Sequence, residues 1–182
     1  MNNDGSGFNP SVNESNNLAL STWLIEKYQP QTVMDLGTGL GYLVRSLLDY
    51  GIDAYGVEGC QELQSKTSLN SENKHRITYS DLRFITSPKV SLTTSFEVIE
   101  HIPRADLKDF FDTVKLLSDI HVCSIHTMPP EHKEHQTIMS RSEWEAYFDK
   151  NGIGHKYLDD FPITYWKCSA FFELDMRGYV NK

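Results

Sequence analysis

The sequence is short of the features that would commit a chain to disulfide stapling, to a bilayer or to duplex nucleic acid. Its 182 residues include three cysteines, Cys60, Cys123 and Cys168, and these form no Cys-x-x-Cys pair. An odd count argues against a disulfide framework, so each is read as a small buried hydrophobe. No run of about 18 apolar residues occurs, and no membrane span is expected. Residues 1–10 lack a basic stretch followed by an apolar run, so no secretory signal is expected there and the expected location is cytoplasmic. Positive charge is scarce as well: 17 Lys plus Arg against 25 Asp plus Glu leaves a net charge of −8. Duplex nucleic acid asks for a basic face, so a neutral small molecule or a glycan is the easier partner. No repeat, low-complexity tract or linker divides the chain.

What is present is a core-forming chain of one-domain length. It carries nine Phe, nine Tyr and three Trp, and a chain of this size buries roughly 70% of its unfolded surface without staples. Residues 1–17 are polar and read as a flexible N-terminal segment; residues 18–182 read as a single domain. Leu18, Leu20, Trp23, Leu24, Ile25 and Tyr28 have the spacing of an amphipathic helix, with Asn16 or Asn17 as cap and Pro30 as stop. Strands are predicted at 32–36, 52–57, 76–79, 92–96 and 120–126. Helices are predicted at 42–48, 60–70 and 105–118, and after Ser140 or Ser142 as far as Gly152. Segments 155–161 and 167–174 read as an antiparallel pair joined around Pro162, and 127–140 as a polar loop or lid. Strands alternating with helices give an α/β fold: a Rossmann-like, doubly wound, mostly parallel seven-stranded sheet with an antiparallel C-terminal hairpin and helices on both faces.

The densest signal follows the first strand. Gly37, Gly39 and Gly41 come directly after Leu36, a helix follows, and the next strand ends in Glu58, 17 residues beyond Gly41. Glycine lets backbone approach a ligand where a Cβ would obstruct it, and the helix start presents free N–H groups there. A carboxylate at the neighbouring strand end accepts the two hydrogen bonds of a ribose diol.

The string Val33-Met-Asp-Leu-Gly-Thr-Gly-Leu-Gly-Tyr42 resembles the first motif of the class I S-adenosylmethionine-dependent methyltransferases, and its glycine spacing is not that of NAD enzymes. The resemblance continues through Glu58, Asp81-Leu82 and the segment from Phe96 to Ile102, and with the final hairpin it covers nearly the whole chain. It implies S-adenosylmethionine as cofactor. The turn of Gly37, Thr38, Gly39 and Gly41 would hold the methionine portion, with Asp35 fixing the turn or reaching the amino group through a water and Tyr42 flanking it; Glu58 would bind the ribose, Asp81 would receive the adenine amino group with Leu82 on the ring, and Phe96 joins the cofactor-binding set. It also implies methyl transfer, with the acceptor left open.

Glu97, Glu100 and His101 stand at i, i+3 and i+4 after the fourth strand, and His126 ends the fifth. Strand ends of an open α/β sheet are where chemistry occurs. His126, then His101, is the expected general base, with Glu97 beside it. The pattern Glu-x-x-Glu-His also resembles the metal-binding segment of small-RNA 2′-O-methyltransferases, which makes Glu97, Glu100, His101 and His126 a candidate set for Mg²⁺ or Mn²⁺. His132 and His135 read as solvated loop residues, and Trp144, Tyr147 and Phe148 as core. The leading expectation is an O-methyltransferase acting on a hydroxyl of a glycan, sugar or small molecule. Its alternatives are a metal-assisted RNA ribose methyltransferase and a non-catalytic, cofactor-binding partner subunit. So compact a chain also suits a dimer or fusion to another enzyme.

Overall fold

A computed structural model describes residues 10–128, 134–163 and 168–180, with side chains from Ser15 onward. The chain opens with α1 (Pro10–Tyr28), β1 (Thr32–Leu36), α2 (Tyr42–Asp49), β2 (Asp53–Glu58), β3 (Ile77–Tyr79) and β4 (Leu92–Phe96). It continues with α3 (Leu107–Leu117), β5 (Ile120–His126), α4 (Arg141–Lys150), β6 (Gly154–Tyr157) and β7 (Ser169–Asp175). The sheet order is β3-β2-β1-β4-β5-β7-β6. β7 runs antiparallel to both β5 and β6, and the other pairs are parallel. This is the predicted seven-stranded sheet. Parallel pairing places the carboxyl ends of β1, β2, β4 and β5 along one edge, which is where the site lies.

Alternation along the strands divides the interior into two layers. Val33, Ala54, Leu92 and Val122 face α1 and α2, packing on Leu20, Leu24, Leu43, Val44 and Leu47. Met34, Leu36, Val57, Cys123 and Ile125 face α3 and α4, packing on Phe110, Phe111, Trp144 and Phe148. Trp144 and Phe148 are fully buried, as expected of a core face. Ser140 caps α4: its hydroxyl accepts from the Glu143 N–H at 3.3 Å and the Glu143 carboxylate accepts from the Ser140 N–H at 2.7 Å.

Three expectations are corrected. The first helix starts at Pro10, well before Asn16 and Asn17, so neither of these is its cap. In place of a helix over 60–70 there is a 3₁₀ turn, Gln61–Lys66, whose single buried side chain, Leu63, gives little reason for a longer helix. Of the cysteines only Cys123 is buried; Cys60 and Cys168 are half-exposed.

The central strand β4 carries Thr93, Thr94 and Ser95, all fully buried, and each is satisfied by a neighbouring strand. Thr94 donates to Asp35 in β1. Thr93 and Ser95 grip the ring of His121 in β5, each at 2.9 Å. Thr93 gives its own proton to the Ile120 carbonyl at 3.3 Å, so it accepts from His121 Nδ1, and Ser95 donates to Nε2. Burial pushes this imidazole from 6.5 down to about 3. The unfolded chain therefore takes up a proton below 6.5 that the fold refuses until about 3, and His121 costs the fold stability as the pH falls through that window. Denaturant titrations at several pH values should show the native chain losing stability relative to His121→Asn by roughly 1 kcal/mol per pH unit below pH 6.5. Parallel stability curves for the two proteins would contradict the assignment.

Candidate functional site

β1 sits between β2 and β4, and its last residues lead straight into the glycine turn. Gly37, Gly39 and Gly41 all hold the left-handed conformation, at φ 76°, 57° and 82°. A side chain is excluded at the first and last of these for a second reason. A Cβ on Gly37 would lie 2.4 Å from Val98 Cγ2, and one on Gly41 would lie 2.5 Å from both Ile77 Cδ1 and Leu69 Cδ1. The N–H groups of Gly37 and Thr38 donate to the Val57 carbonyl at 2.8 and 3.1 Å, splicing the turn to the end of β2. Gly41 then caps α2 with no side-chain hydrogen bond, so the positive end of that helix faces the turn.

Glu58 closes the turn from the other side. Its Oε2 accepts from the Gly39 N–H at 2.7 Å and its Oε1 accepts from the Cys60 N–H at 2.8 Å. A carboxylate offers about four lone-pair sites, so each oxygen keeps acceptor capacity for a diol. Ser80 N–H donates to the Glu58 carbonyl at 2.9 Å, which sets Asp81 and Leu82 alongside. Asp81 accepts from the Arg83 N–H at 3.0 Å and from Nη2 at 2.6 Å, and the guanidinium holds its carboxyl below the usual range. The same Arg83 also reaches Asp106. Leu82 is half-buried against the core.

The other assigned residues serve the frame. Asp35 is buried and accepts from Thr94 Oγ1 at 2.7 Å. Burial raises it to about 6, with the hydrogen bond from Thr94 acting in the opposite sense. Tyr42 begins α2 and its ring lies 5.2 Å beneath the Arg45 guanidinium. Phe96 is half-buried, its ring 5.7 Å from that of Phe161.

At the ends of β4 and β5 the sequence brings together two acids and three imidazoles. Glu97 stands in the left-handed region, at φ 55°. Its N–H donates to Ser124 Oγ at 3.0 Å, the Ser124 hydroxyl donates to Glu97 Oε1 at 2.7 Å, and Glu97 Oε2 lies 3.8 Å from His126 Nδ1. Glu100 is 1% exposed. Its Oε1 accepts from the His126 N–H at 3.3 Å, and its Oε2 has no partner among the described residues. Burial, with the Glu97 charge adding to it, raises the Glu100 carboxyl to about 8. His101 is lowered by burial, and its Nδ1 lies 3.1 Å from the Glu134 carbonyl.

His135 completes this cluster. Its ring centroid lies 4.8 Å from that of His101 and 4.7 Å from that of His126. One ligand atom each from Glu100, His101 and His135 fall within 4.8 Å of one another. The expected set of Glu97, Glu100, His101 and His126 therefore divides: Glu100 and His101 join His135, while Glu97 and His126 face each other beside them. An orphaned buried carboxylate oxygen next to two imidazoles suits a divalent ion of borderline softness, better Mn²⁺ than Mg²⁺. His135 read as a loop residue because nothing local marks it. Its place follows from backbone pairing, since the Glu100 carbonyl accepts from Gln136 N–H at 2.8 Å and Thr137 N–H at 2.9 Å. His132 and the middle of the expected lid, 129–133, lie outside the described residues.

No protein-family model matches the chain, and no curated protein sequence matches it. Solved structures do match in fold. An S-adenosylmethionine-dependent methyltransferase from Clostridium acetobutylicum is 15% identical with a TM-score of 0.67, over 86% of this chain and 90% of that one. Magnesium protoporphyrin IX methyltransferase from Synechocystis, with bound SAH, is 14% identical with a TM-score of 0.66, over 90% of this chain and 84% of that one. The small RNA methyltransferase HEN1 is 16% identical with a TM-score of 0.66, over 96% of this chain and 26% of that one. The architecture is that of the class I S-adenosylmethionine-dependent methyltransferases.

The turn itself is testable as structure. Gly37→Ala should lower unfolding free energy by roughly 1–3 kcal/mol, from left-handed strain and the Val98 contact. Denaturant unfolding reads this out, and a variant as stable as the parent would contradict it.

Proposed function

From this fold and its glycine turn, we propose that the chain transfers a methyl group from S-adenosylmethionine to a hydroxyl oxygen of a sugar, glycan or small molecule. The supporting observation is the Glu58 carboxylate bonded across the turn to the Gly39 N–H at 2.7 Å. It leaves a carboxylate beside bare backbone, which supports reading Glu58 as the ribose acceptor. When bound, the cofactor supplies a methyl carbon made electrophilic by its sulfonium. Gly37, Thr38, Gly39 and Gly41 would line its methionine side, with Asp35 holding the turn from below and Tyr42 flanking it. Glu58 would accept from its ribose hydroxyls. Asp81, with Leu82 and Phe96 nearby, would meet the adenine.

The acceptor side follows from β4 and β5. A hydroxyl attacks carbon poorly until its proton has a destination. His126 would supply one: its Nδ1 faces Glu97 Oε2 at 3.8 Å, so Nε2 would take the hydroxyl proton as the new oxygen–carbon bond replaces the carbon–sulfur bond and the neutral thioether leaves. Glu97 then stabilises the imidazolium. His101 is the second candidate base. The net charge of −8 favours an uncharged acceptor over a polyanion.

The Glu100, His101 and His135 cluster favours a second reading, in which a divalent ion held there polarises the acceptor oxygen. An RNA ribose hydroxyl is one acceptor this reading admits, and one of the similar structures is that of a small RNA methyltransferase. A cofactor-binding subunit without turnover is the remaining alternative. Association with a second copy or another enzyme, and a cytoplasmic setting, remain parts of this reading. The described residues form no helix long and apolar enough to cross a membrane.

The test is methyl transfer from labelled S-adenosylmethionine to a panel of sugars, small hydroxyl compounds and RNA, with and without a chelator. Turnover on a hydroxyl acceptor is expected, with His126→Ala lowering kcat by about 10²–10⁴. Loss of turnover with chelator would select the ion-assisted reading. An unaffected His126→Ala enzyme would contradict the base assignment.

A further inference from the structure

We propose that Ser124 is a positioning residue that holds the Glu97 carboxylate toward His126 and thereby fixes which nitrogen of His126 is free. The proposal rests on the reading of His126 as the base. Ser124 lies in β5, in register with Phe96 of β4, and is fully buried. A hydroxyl has one proton and two lone pairs. Here the proton goes to Glu97 Oε1 at 2.7 Å and a lone pair takes the Glu97 N–H at 3.0 Å. Backbone and side chain of one residue are thus held by one hydroxyl, and the Ser124 carbonyl accepts the same N–H at 3.2 Å.

The backbone of Glu97 shows why such a clamp is needed. Among the described residues, Gln29 and Glu97 are the non-glycine residues at positive φ. Gln29 follows the last turn of α1, where a left-handed residue is a common way to end a helix. Glu97 follows a strand, and its φ of 55° has no helix end to account for it. Such a conformation costs on the order of 1–3 kcal/mol and persists only where neighbours over-determine it. Ser124 supplies that determination, and the result is a side chain folded back over the end of β5. With Oε1 fixed by Ser124, Oε2 is the oxygen facing His126 Nδ1, at 3.8 Å. A carboxylate in that place favours the tautomer with the proton on Nδ1 and leaves Nε2 unprotonated.

Histidine-selective ¹⁵N NMR on the full chain, with chelator present and at a pH where imidazoles are neutral, reads this directly. The native His126 should show two well-separated ring nitrogens with the proton on Nδ1. In Ser124→Ala the two resonances should converge as the tautomers interchange, and Ser124→Thr, which keeps the hydroxyl, should restore the separation. In a Glu97→Gln background, Ser124→Ala should produce no further change. Should the alanine variant fail to fold, Ser124→Cys serves in its place, since a thiol is only a weak donor. A His126 spectrum unaltered by loss of the hydroxyl would overturn the proposal, as would a full additional effect in the Glu97→Gln background. SAH binding by the same samples separates the two levels. If the native chain does not bind SAH, the methyl-transfer reading fails and this proposal falls with it. If SAH binds and His126 is indifferent to Ser124, only this proposal fails.

Discussion

The site depends on one backbone constraint: the chain must leave β1 and enter α2 through three left-handed residues without lifting away from β2. Only glycine does this cheaply. The bonds from Gly37 and Thr38 to the Val57 carbonyl hold the turn down, and the Gly39 N–H meets the carboxylate of Glu58 at 2.7 Å. Parallel pairing of β1 with β2 sets Leu36 opposite Val57, so the turn and Glu58 emerge side by side. Val98 fills the space a Cβ on Gly37 would need, which ties the turn to the segment after β4 as well. Both halves of the site therefore hang from the same few residues.

The two halves are built by different means. The proposed cofactor side is largely backbone, with carboxylates at the strand ends. The proposed acceptor side is made of side chains in a tense arrangement: a strained Glu97, a Glu100 raised to about 8, and three imidazoles within ring contact. Burying two carboxyl groups together is unfavourable when both are ionised. Burial and the Glu97 charge push the Glu100 carboxyl up, Glu97 faces an imidazole, and one Glu100 oxygen has no partner among the described residues. Clusters of perturbed groups at the strand ends of a sheet are what catalytic sites require.

Much of this was legible in the residues because the signals are local. Gly37, Gly39, Gly41 and Glu58 announce themselves by spacing, and the strands by short apolar runs bounded by turns. Ser140 was readable as a cap. What the sequence concealed depends on contacts distant in the chain. His135 reaches the cluster because residues 136 and 137 pair with the Glu100 carbonyl, 36 and 37 positions away. Ser124 carries no motif, and its importance comes from strand register and the φ of a neighbour. His121 likewise carries no motif, and its setting comes from Thr93 and Ser95 on the adjacent strand. The extra turns of α1 and the collapse of 60–70 into a 3₁₀ turn were hidden for another reason: helix length is decided by what the helix packs against.

The turn and Glu58 together would hold a nucleoside-bearing cofactor. Isothermal calorimetry of the native chain and Glu58→Gln with SAH tests this most directly. One site is expected on the native chain and about 10- to 100-fold weaker binding by the variant, the scale of hydrogen bonds to a charged carboxylate. No heat of binding on the native chain, or equal affinity for both proteins, would contradict it.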